Sequence, residues 1–244
     1  MPAAPAVSFA IPCYNERDNL EALVAAIETE ADRLALDYEI VITDDCSTDG
    51  SWELLQRLLP AHPRLRIQRL SKNSGESAAS FAAIRGARGD VIVTLDADLQ
   101  NDPRELPKFL AAIRGADCVC GTRKATRREG DSWLKTVTSR VANFIRSRFL
   151  DDPITDAGCT YRAFRRECVA DLPVFKGVHR FLPILIGMRG YRVVEVPVVN
   201  QPRAAGKSKY TLLNRAGAVI DMFGVRWLKG RMRHGTVDER LPRD

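Results

Sequence analysis

The first 115 residues of the chain alternate between two sequence patterns. Short apolar, β-rich runs lie at residues 7–11, 39–43, 65–70 and 91–95, and stretches with helical periodicity lie at 18–36, 51–59, 77–88 and 104–114. This alternation predicts a mostly parallel sheet with helices on both of its faces. Ligands of such sheets bind at the carboxyl ends of the strands. The chain is therefore predicted to be an α/β protein with its functional site at that edge.

The fourth apolar run ends in the sequence Asp-Ala-Asp-Leu-Gln. If the strand geometry continues to its end, Asp96, Asp98 and Gln100 share one face, because alternate residues of a strand point the same way. Such oxygen ligands suit Mg²⁺ or Mn²⁺, and only two carboxylates leave coordination positions open for substrate phosphates. The alternative interpretation is a solvated loop after a buried strand, since so short a motif also occurs by chance.

A second pair of carboxylates, Asp44 and Asp45, follows the apolar run at 39–43. These side chains are expected at the same edge of the sheet as the Asp-x-Asp pair. Asp45 and Asp49 can equally be turn formers, because the segment Asp-Cys-Ser-Thr-Asp-Gly is rich in groups that bond to nearby backbone. Both interpretations stay open for Asp45, and turn formation is favoured for Asp49.

Beyond residue 121 the patterns indicate more helix. They predict an amphipathic basic helix at 133–149, a strand at 158–165, a helix at 178–189, a strand at 191–199 and an amphipathic C-terminal helix at 211–234. Pro197 indicates that the last strand lies at an edge or ends in a bulge. The C-terminal helix ends in Trp227 and several cations, which suits a membrane interface. Ordinary packing on the core is the favoured interpretation for its first half.

Charge divides the chain into two parts. Residues 1–120 carry 12 Lys and Arg against 19 Asp and Glu, a net charge of −7, whereas residues 121–234 carry 23 against 9, a net charge of +14. No nucleic-acid-binding motif accompanies the basic part, so nucleic acid is not an expected partner. An anionic membrane surface and a phosphate-bearing acceptor explain the charge better.

The composition indicates the cellular compartment of the protein and the number of its domains. No apolar stretch approaches the roughly 20 residues that span a bilayer, and the N-terminus lacks the basic region of a signal peptide. The six cysteines form no zinc or disulfide pattern, so free thiols are expected. We expect one domain over residues 1–234 and a flexible tail at 235–244. The protein is expected to act at the cytoplasmic face of a membrane, to which it binds peripherally or through a membrane-anchored partner protein.

Several motifs occur together along the chain. They are VSFAIPCYNE (7–16), EIVITDDCSTDGS (39–51), NSGESAASFAAIRGARGD (73–90), DADLQ (96–100), GTRK (121–124), DAGCTYRAFRR (156–166), HRFLP (179–183), EVPV (195–198) and RAAGKSKY (203–210). The first four resemble the nucleotide-sugar half of glycosyltransferase family 2, which has the GT-A fold. The others resemble its polyprenyl-phosphate branch, typified by dolichol-phosphate mannose synthase. The resemblance covers about residues 7–229 and implies a nucleotide-sugar half at 7–122 and an acceptor half at 123–210.

The resemblance also implies roles for individual residues, which are listed here by the part of the substrates they serve. It implies Asp96, Asp98 and Gln100 for the metal, Pro12, Tyr14, Glu16, Asp44, Asn73, Ala97 and Asp156 for the nucleotide and sugar, Arg203 and Lys209 for the diphosphate, Arg123 for the diphosphate or the acceptor phosphate, and Arg127, Arg128 and His179 for the acceptor phosphate. Asp96, Asp98 and Arg123 are the implied catalytic residues.

Some of these residues also have ordinary structural explanations. Glu16 can be a favourable charge at a helix N-terminus, His179 can be a structural hydrogen-bonding residue, and the basic loop after Arg123 can be solvated. Two positions depart from the family. Glu76 stands where Lys or Gln is common, which puts a phosphate contact from its loop in doubt. Cys46 stands where Gly is common, which predicts a backbone that does not need positive φ.

The implied reaction is metal-dependent, inverting transfer of a sugar from GDP-mannose or a UDP-sugar to a polyprenyl or dolichyl monophosphate. The acceptor phosphate is already ionised near neutral pH, because the second pKa of a monoester is about 6, so no general base is required. One alternative is a family 2 transferase with a saccharide or glycolipid hydroxyl as acceptor. The other is a non-catalytic module that binds a nucleotide sugar or a lipid phosphate. The nucleotide, the sugar and the lipid length stay open.

Overall fold

The computed structural model describes residues 4–123, 148–152, 154–199, 201 and 212–231, and the side chains of the last segment from residue 220 onward. The basic stretch at 133–147, the RAAGKSKY motif and the tail at 235–244 lie outside the described residues.

The strands form one seven-stranded sheet. They are β1 (Val7–Cys13), β2 (Tyr38–Asp44), β3 (Leu65–Arg69), β4 (Val91–Thr94), β5 (Cys118–Thr122), β6 (Arg162–Arg165) and β7 (Val193–Pro197), in the spatial order β3-β2-β1-β4-β6-β5-β7. Among the strands of the described residues, only β6 is antiparallel to its neighbours, β4 and β5. The prediction of a mostly parallel sheet is confirmed, and Pro197 ends an edge strand as expected.

The helices also follow the predicted order. They are α1 (Arg17–Arg33), α2 (Ser51–Leu58), α3 (Glu76–Gly86), α4 (Leu106–Ala112), α5 (Leu182–Met188) and α6 (Leu212–Arg231). The helices α4 and α5 are shorter than predicted, and short 3₁₀ turns precede them. Proline explains both starts. Pro107 and Pro183 lack an N–H and are tolerated in the first turn of a helix, where no intrahelical acceptor is needed.

Two apolar layers cover the two faces of the sheet. Along β1, Phe9 and Ile11 pack with α1, α2 and α4, whereas Ala10 packs with α3 and α5 on the opposite face. This alternation is the expected consequence of strand geometry. On the first face, the rings of Phe109 and Tyr161 stack with their centroids 4.2 Å apart.

Two local predictions about the backbone are wrong. The strand β4 ends at Thr94, and Leu99 adopts a φ of 62°, so strand geometry does not continue through Gln100. The segment forms a turn instead, because Asp98 Oδ1 accepts a hydrogen bond from the Gln100 N–H at 3.1 Å. Cys46 has a φ of 60°, so its loop does need positive φ despite lacking glycine.

The six cysteines are free thiols, as predicted. Among the described helices, none is both long enough and apolar enough to cross a bilayer.

Candidate functional site

The predicted site residues follow four strands that run in the same direction. The carboxyl ends of β1, β2, β4 and β5 lie at one edge of the sheet, and Glu16, Asp44, Asp96 and Arg123 lie at or just beyond these ends. The hydrogen bond to Asp156 raises the pKa of the Arg123 guanidinium, and the nearby negative charge of Asp96 raises it further. The parallel sheet thus brings together residues that are up to 107 positions apart in the chain.

Asp44 is fully buried at the end of β2. Its carboxylate accepts a hydrogen bond from the Ser47 N–H at 3.1 Å and lies 3.1 Å from Nε of Arg69. The guanidinium of Arg69 in turn lies 5.5 Å from the ring centroid of Trp52. Asp44 is therefore fixed in one orientation, and it also closes the turn that holds Cys46 in its left-handed conformation.

Asp45 holds the loop that leads into α3. Its two carboxylate oxygens accept hydrogen bonds from the backbone N–H groups of Ser74 at 2.7 Å and Gly75 at 2.8 Å. Its carbonyl oxygen accepts a further hydrogen bond from Nδ2 of Asn73 at 3.2 Å. Asp45 thus shapes a loop 29 and 30 positions away and does not form a local turn, and the loop is docked against the end of β2.

The loops after β1 and β2 are linked in a similar way. Asp49 accepts hydrogen bonds from the N–H groups of Arg17 and Ser51, at 3.1 and 2.9 Å, which fits its predicted turn-forming role. Asn15, with a φ of 54°, accepts a hydrogen bond from the Thr48 N–H at 2.8 Å. Glu16 accepts one from Nδ2 of Asn19 at 2.7 Å, within the first turn of α1.

Asp96 lies in a crowded, largely desolvated position. Its Oδ2 accepts a hydrogen bond from the Thr160 hydroxyl at 2.5 Å, and Asn101 Oδ1 accepts one from the Asp96 N–H at 3.1 Å. Burial, together with the negative charges of Glu76 and Asp98, raises the pKa of Asp96 to about 7. Two further carboxylates, those of Glu76 and Asp98, thus lie close enough to Asp96 to affect its protonation.

These residues fit a divalent cation. Asp98 is buried beside Asp96, and its backbone turn brings Gln100 close to it. Two carboxylates and an amide are hard oxygen ligands that leave positions open for a substrate, and a cation offsets the burial and the repulsion that raise the pKa of Asp96. Among the described residues, no group of three or more His, Cys, Asp or Glu side chains forms a metal-binding cluster.

His179 is packed against the start of α3. Its Nδ1 lies 2.7 Å from Oγ of Ser77, and that oxygen also accepts a hydrogen bond from the Gly177 N–H at 2.8 Å. The Ser77 oxygen has one proton and two lone pairs, so it can either donate to Nδ1 or accept from it, and both neutral tautomers fit this arrangement. The buried Nε2 lies 3.4 Å from Oε1 of Glu76, too poorly aligned for a hydrogen bond. Burial, with the charges of Arg180 and Arg162, lowers the pKa of His179 to about 3, so the ring is neutral.

Arg123 is fixed by Asp156. The guanidinium donates two hydrogen bonds to the carboxylate, from Nε to Oδ2 at 2.8 Å and from Nη2 to Oδ1 at 2.9 Å. The backbone N–H of Arg123 donates a third to Oδ2 at 3.1 Å. The sequence analysis implied Asp156 as a ligand of the sugar, whereas the geometry engages both of its oxygens with Arg123.

The remaining predicted site residues divide into two groups. Pro12 lies beside Asp96 and His179 around a small cavity, Ala97 is buried, and Tyr14 is half-buried after β1. Arg127, Arg128, Arg203 and Lys209 lie outside the described residues.

Sequence reasoning did not assign Thr160, Asn101 and Ser77, which position Asp96 and His179. Each lies inside or next to a quoted motif, but hydroxyl and amide residues are too common in loops for their type alone to indicate a partner. The proximity of Glu76 to Asp96 was missed for another reason: the two side chains come from different elements, 20 positions apart.

Comparisons with known proteins give a consistent result. The sequence profile of the family described as glycosyl transferase family 2 matches residues 8–172. Two curated relatives are named undecaprenyl-phosphate 4-deoxy-4-formamido-L-arabinose transferase. The protein of Aeromonas hydrophila is 36% identical over 88% of this chain and 66% of its own length. That of Pseudomonas fluorescens is 35% identical over 88% and 63%. The chain thus spans about two thirds of the length of these relatives.

Solved structures share the fold. A mannosyltransferase from Pyrobaculum calidifontis, in complex with GDP-Man and Mn²⁺, has a TM-score of 0.67 and 26% identity, over 91% of this chain and 64% of that one. Mannosyl-3-phosphoglycerate synthase from Rubrobacter xylanophilus has a TM-score of 0.68 and 18% identity, over 98% and 79%. The GT-A fold expected from the motifs is confirmed.

Proposed function

Because the chain belongs to glycosyl transferase family 2, we propose that it transfers a sugar from a nucleoside-diphosphate donor to the phosphate of a polyprenyl monophosphate. The observation that carries this proposal is the gathering of Asp44, Asp96, Asp98 and Arg123 at one edge of the sheet. The names of the relatives support an undecaprenyl-type acceptor. The GDP-Man complex of a structural neighbour supports a nucleotide-sugar donor.

The donor nucleotide lies over the ends of β1 and β2 in this proposal. The sequence analysis implied Asp44 as a ligand of the nucleotide, but its carboxylate is fully buried against Ser47 and Arg69, so in this proposal it shapes the nucleotide site from below. The loop at 73–75, docked by Asp45, forms the floor beneath the nucleotide. Arg123 faces the diphosphate, since a guanidinium donates two parallel hydrogen bonds to phosphate oxygens. Arg203 and Lys209, which lie outside the described residues, are the further proposed ligands of the diphosphate.

Asp96 and Asp98, with Gln100, would hold a Mg²⁺ or Mn²⁺ ion. When bound, the ion acts as a Lewis acid that offsets the charge growing on the leaving nucleoside diphosphate. Thr160 and Asn101 fix Asp96 through hydrogen bonds to its carboxylate and its backbone, so the ligand is oriented before the donor arrives.

The acceptor supplies its own nucleophile. A phosphate monoester is largely ionised near neutral pH, so its oxygen attacks the anomeric carbon directly, and in-line displacement inverts the configuration there. Arg127, Arg128 and the neutral His179 are the proposed ligands of this phosphate. Positioning and electrostatics then provide the rate acceleration without a general base.

The protein meets its lipid acceptor by peripheral attachment to the cytoplasmic face of a membrane. The helix α6 exposes Ile220 and Trp227, with 73% and 62% of their surfaces accessible. The guanidinium of Arg231 lies 5.1 Å from the ring centroid of Trp227. An aromatic ring beside cations suits the headgroup layer of anionic lipids. The free thiols fit a reducing compartment.

A donor panel with matched acceptors tests the function. GDP- and UDP-linked sugars are incubated with Mn²⁺ and either undecaprenyl phosphate or undecaprenol, which has the same chain but no phosphate. We expect lipid-linked sugar from one donor with the phosphate acceptor alone. Equal transfer to undecaprenol would show a hydroxyl acceptor, and binding of a donor without transfer to either lipid would favour a non-catalytic module.

A further inference from the structure

The EVPV segment has no assigned part in the reaction, although its Glu195 contacts the site. Glu195 lies on β7, paired with Cys120 of β5. Its carboxylate accepts hydrogen bonds from the backbone N–H groups of Thr155 at 2.8 Å and Asp156 at 3.2 Å, and from the Thr155 hydroxyl at 2.8 Å. One carboxylate thus satisfies two consecutive backbone donors in a segment that is neither helix nor strand.

The segment that Glu195 holds also carries the partner of Arg123. Asp156 is 3% exposed, and its carboxylate binds both the guanidinium and the backbone N–H of Arg123. The orientation of the Arg123 side chain therefore depends on where the backbone of Asp156 is placed. That placement depends on Glu195, which comes from another strand.

A neighbouring glycine shows how little room Arg123 has to change its position. A Cβ added at Gly158 lies 3.0 Å from Nη2 of Arg123. The guanidinium is therefore confined between the Asp156 carboxylate and the backbone of the following turn. An arginine has four rotatable side-chain bonds, so its ordering before binding removes an entropic cost that the ligand otherwise meets.

We propose that Glu195 is a positioning residue that acts through Asp156 to orient Arg123 toward the donor diphosphate. This inference rests on the proposed function, because it takes Arg123 as a diphosphate ligand. Glu195 itself contacts no substrate in this scheme. Its removal releases the backbone at residues 155 and 156, and the Asp156 carboxylate then no longer holds the guanidinium at the angle that two parallel hydrogen bonds to phosphate require.

A double-mutant cycle tests this relay. Glu195→Ala, Arg123→Ala and the double variant are compared with the wild type by calorimetric binding of GDP and UDP with Mn²⁺, and by thermal unfolding. We expect Glu195→Ala to weaken binding about tenfold, because a misplaced contact group loses most of its benefit. In the Arg123→Ala background, Glu195→Ala should weaken binding no further, since both changes remove the same contact. Gly158→Ala should weaken binding in the same way while leaving Glu195 intact.

The matched control is Glu39→Ala. Glu39 is also a largely buried carboxylate that accepts a backbone hydrogen bond, from Arg88 at 2.7 Å, but it lies at the opposite end of the sheet, where β2 begins. It should lower the unfolding temperature without changing nucleotide affinity. If Glu195→Ala does not fold, Glu195→Gln replaces it in the cycle.

The outcomes separate the relay from the function on which it rests. If Arg123→Ala weakens binding but Glu195→Ala does not, or if the two losses add, the relay is wrong and Arg123 keeps its role. If Glu39→Ala weakens binding as much as Glu195→Ala, the effect is general destabilisation and the relay is also wrong. If the wild type binds neither nucleotide, or Arg123→Ala binds like the wild type, the proposed role of Arg123 fails and the relay fails with it.

Discussion

The carboxylate of Asp45 lies 2.8 Å from the backbone nitrogen of Gly75, and it joins the end of β2 to a loop 30 residues further along the chain. The same carboxylate accepts the Ser74 N–H through its other oxygen. The loop that leads into α3 is thus shaped by a residue outside it, and the proposed nucleotide site depends on that contact.

Asp45→Asn should loosen this loop. The amide keeps one acceptor oxygen but turns an NH₂ group toward a backbone N–H, so one of the two hydrogen bonds is lost. We expect the free energy of unfolding to fall by about 1–2 kcal/mol and nucleoside-diphosphate affinity to fall with it. Asp49→Asn is the control, because Asp49 caps two other backbone N–H groups. Urea unfolding measures the loss of stability, and calorimetry measures the loss of nucleotide affinity. An equal loss of affinity in both variants would count against a specific role for the 73–75 loop.

Cys46→Gly should stabilise the protein. Cys46 has a φ of 60°, a conformation that costs a residue with a Cβ roughly 1 kcal/mol and costs glycine almost nothing. Part of this gain is offset by the greater freedom of glycine in the unfolded chain. We therefore expect a gain of about 0.5 kcal/mol in urea unfolding. Cys46→Ala removes the thiol but keeps the strain, so a matching gain in that variant would show that strain is not the cause.

Asp98→Asn should abolish turnover with a much smaller effect on the fold. The asparagine oxygen can still accept the Gln100 N–H, so the turn is retained, while a charged metal ligand is lost. Initial rates across a Mn²⁺ series and thermal melting on the same preparation measure the two effects. Asp117→Asn, just before β5 at the opposite end of the sheet, should keep its activity. Near-wild-type rates for Asp98→Asn at saturating Mn²⁺ would defeat the metal assignment.

Acidification should destabilise the protein partly through His179. Burial, then the charges of Arg180 and Arg162, lowers its folded-state pKa from 6.5 to about 3, so the unfolded chain binds more protons between these values. Stability contributed by the neutral ring is therefore complete above about pH 6.5 and is lost as the pH falls toward 3. At pH 5.5 this loss is about 1 kcal/mol.

The His179→Gln variant isolates that contribution, because glutamine can contact Ser77 but does not titrate in this range. Urea unfolding at pH 7.5 and 5.5 should show a larger decrease for the wild type than for the variant. Equal decreases in the two proteins would mean that His179 is not the titrating group.

Membrane attachment should depend on the exposed apolar side chains of α6. Ile220→Ser with Trp227→Ser should reduce cosedimentation with anionic liposomes, because these residues are proposed to insert between headgroups. Leu59→Ser with Val174→Ser is the control, since both residues are also exposed but lie elsewhere on the surface.

Binding of the wild type should also fall as salt rises, because electrostatic attraction is screened over about 8 Å at physiological ionic strength. Equal pelleting with neutral liposomes at high salt, or no binding to anionic liposomes at low salt, would refute electrostatic attachment. A membrane-anchored partner protein would then be the better explanation.

Most of the order of strands and helices could be predicted because it follows from local periodicity, although the strand β5 was not among the predicted ones. Apolar alternation and helical spacing act within a few residues, and Pro197 indicates an edge strand through its own missing N–H. The same locality explains the errors. The turn at Asp98 and Gln100 and the left-handed Cys46 depend on side-chain acceptors that compete with regular backbone geometry, and no periodic pattern records that competition.

The sequence by itself predicted a set of candidate site residues, and it predicted that the ends of parallel strands would gather them. Only the tertiary structure decided what each of them binds. Asp44 and Asp45 are adjacent, yet one pairs with Arg69 and the other with the backbone at Ser74 and Gly75. Asp156 binds Arg123, which is 33 positions away. The physical reason is that a buried carboxylate accepts hydrogen bonds from whichever donors the packing brings within about 3 Å. Those donors come from distant segments, and their positions are fixed only when the sheet and its helices assemble.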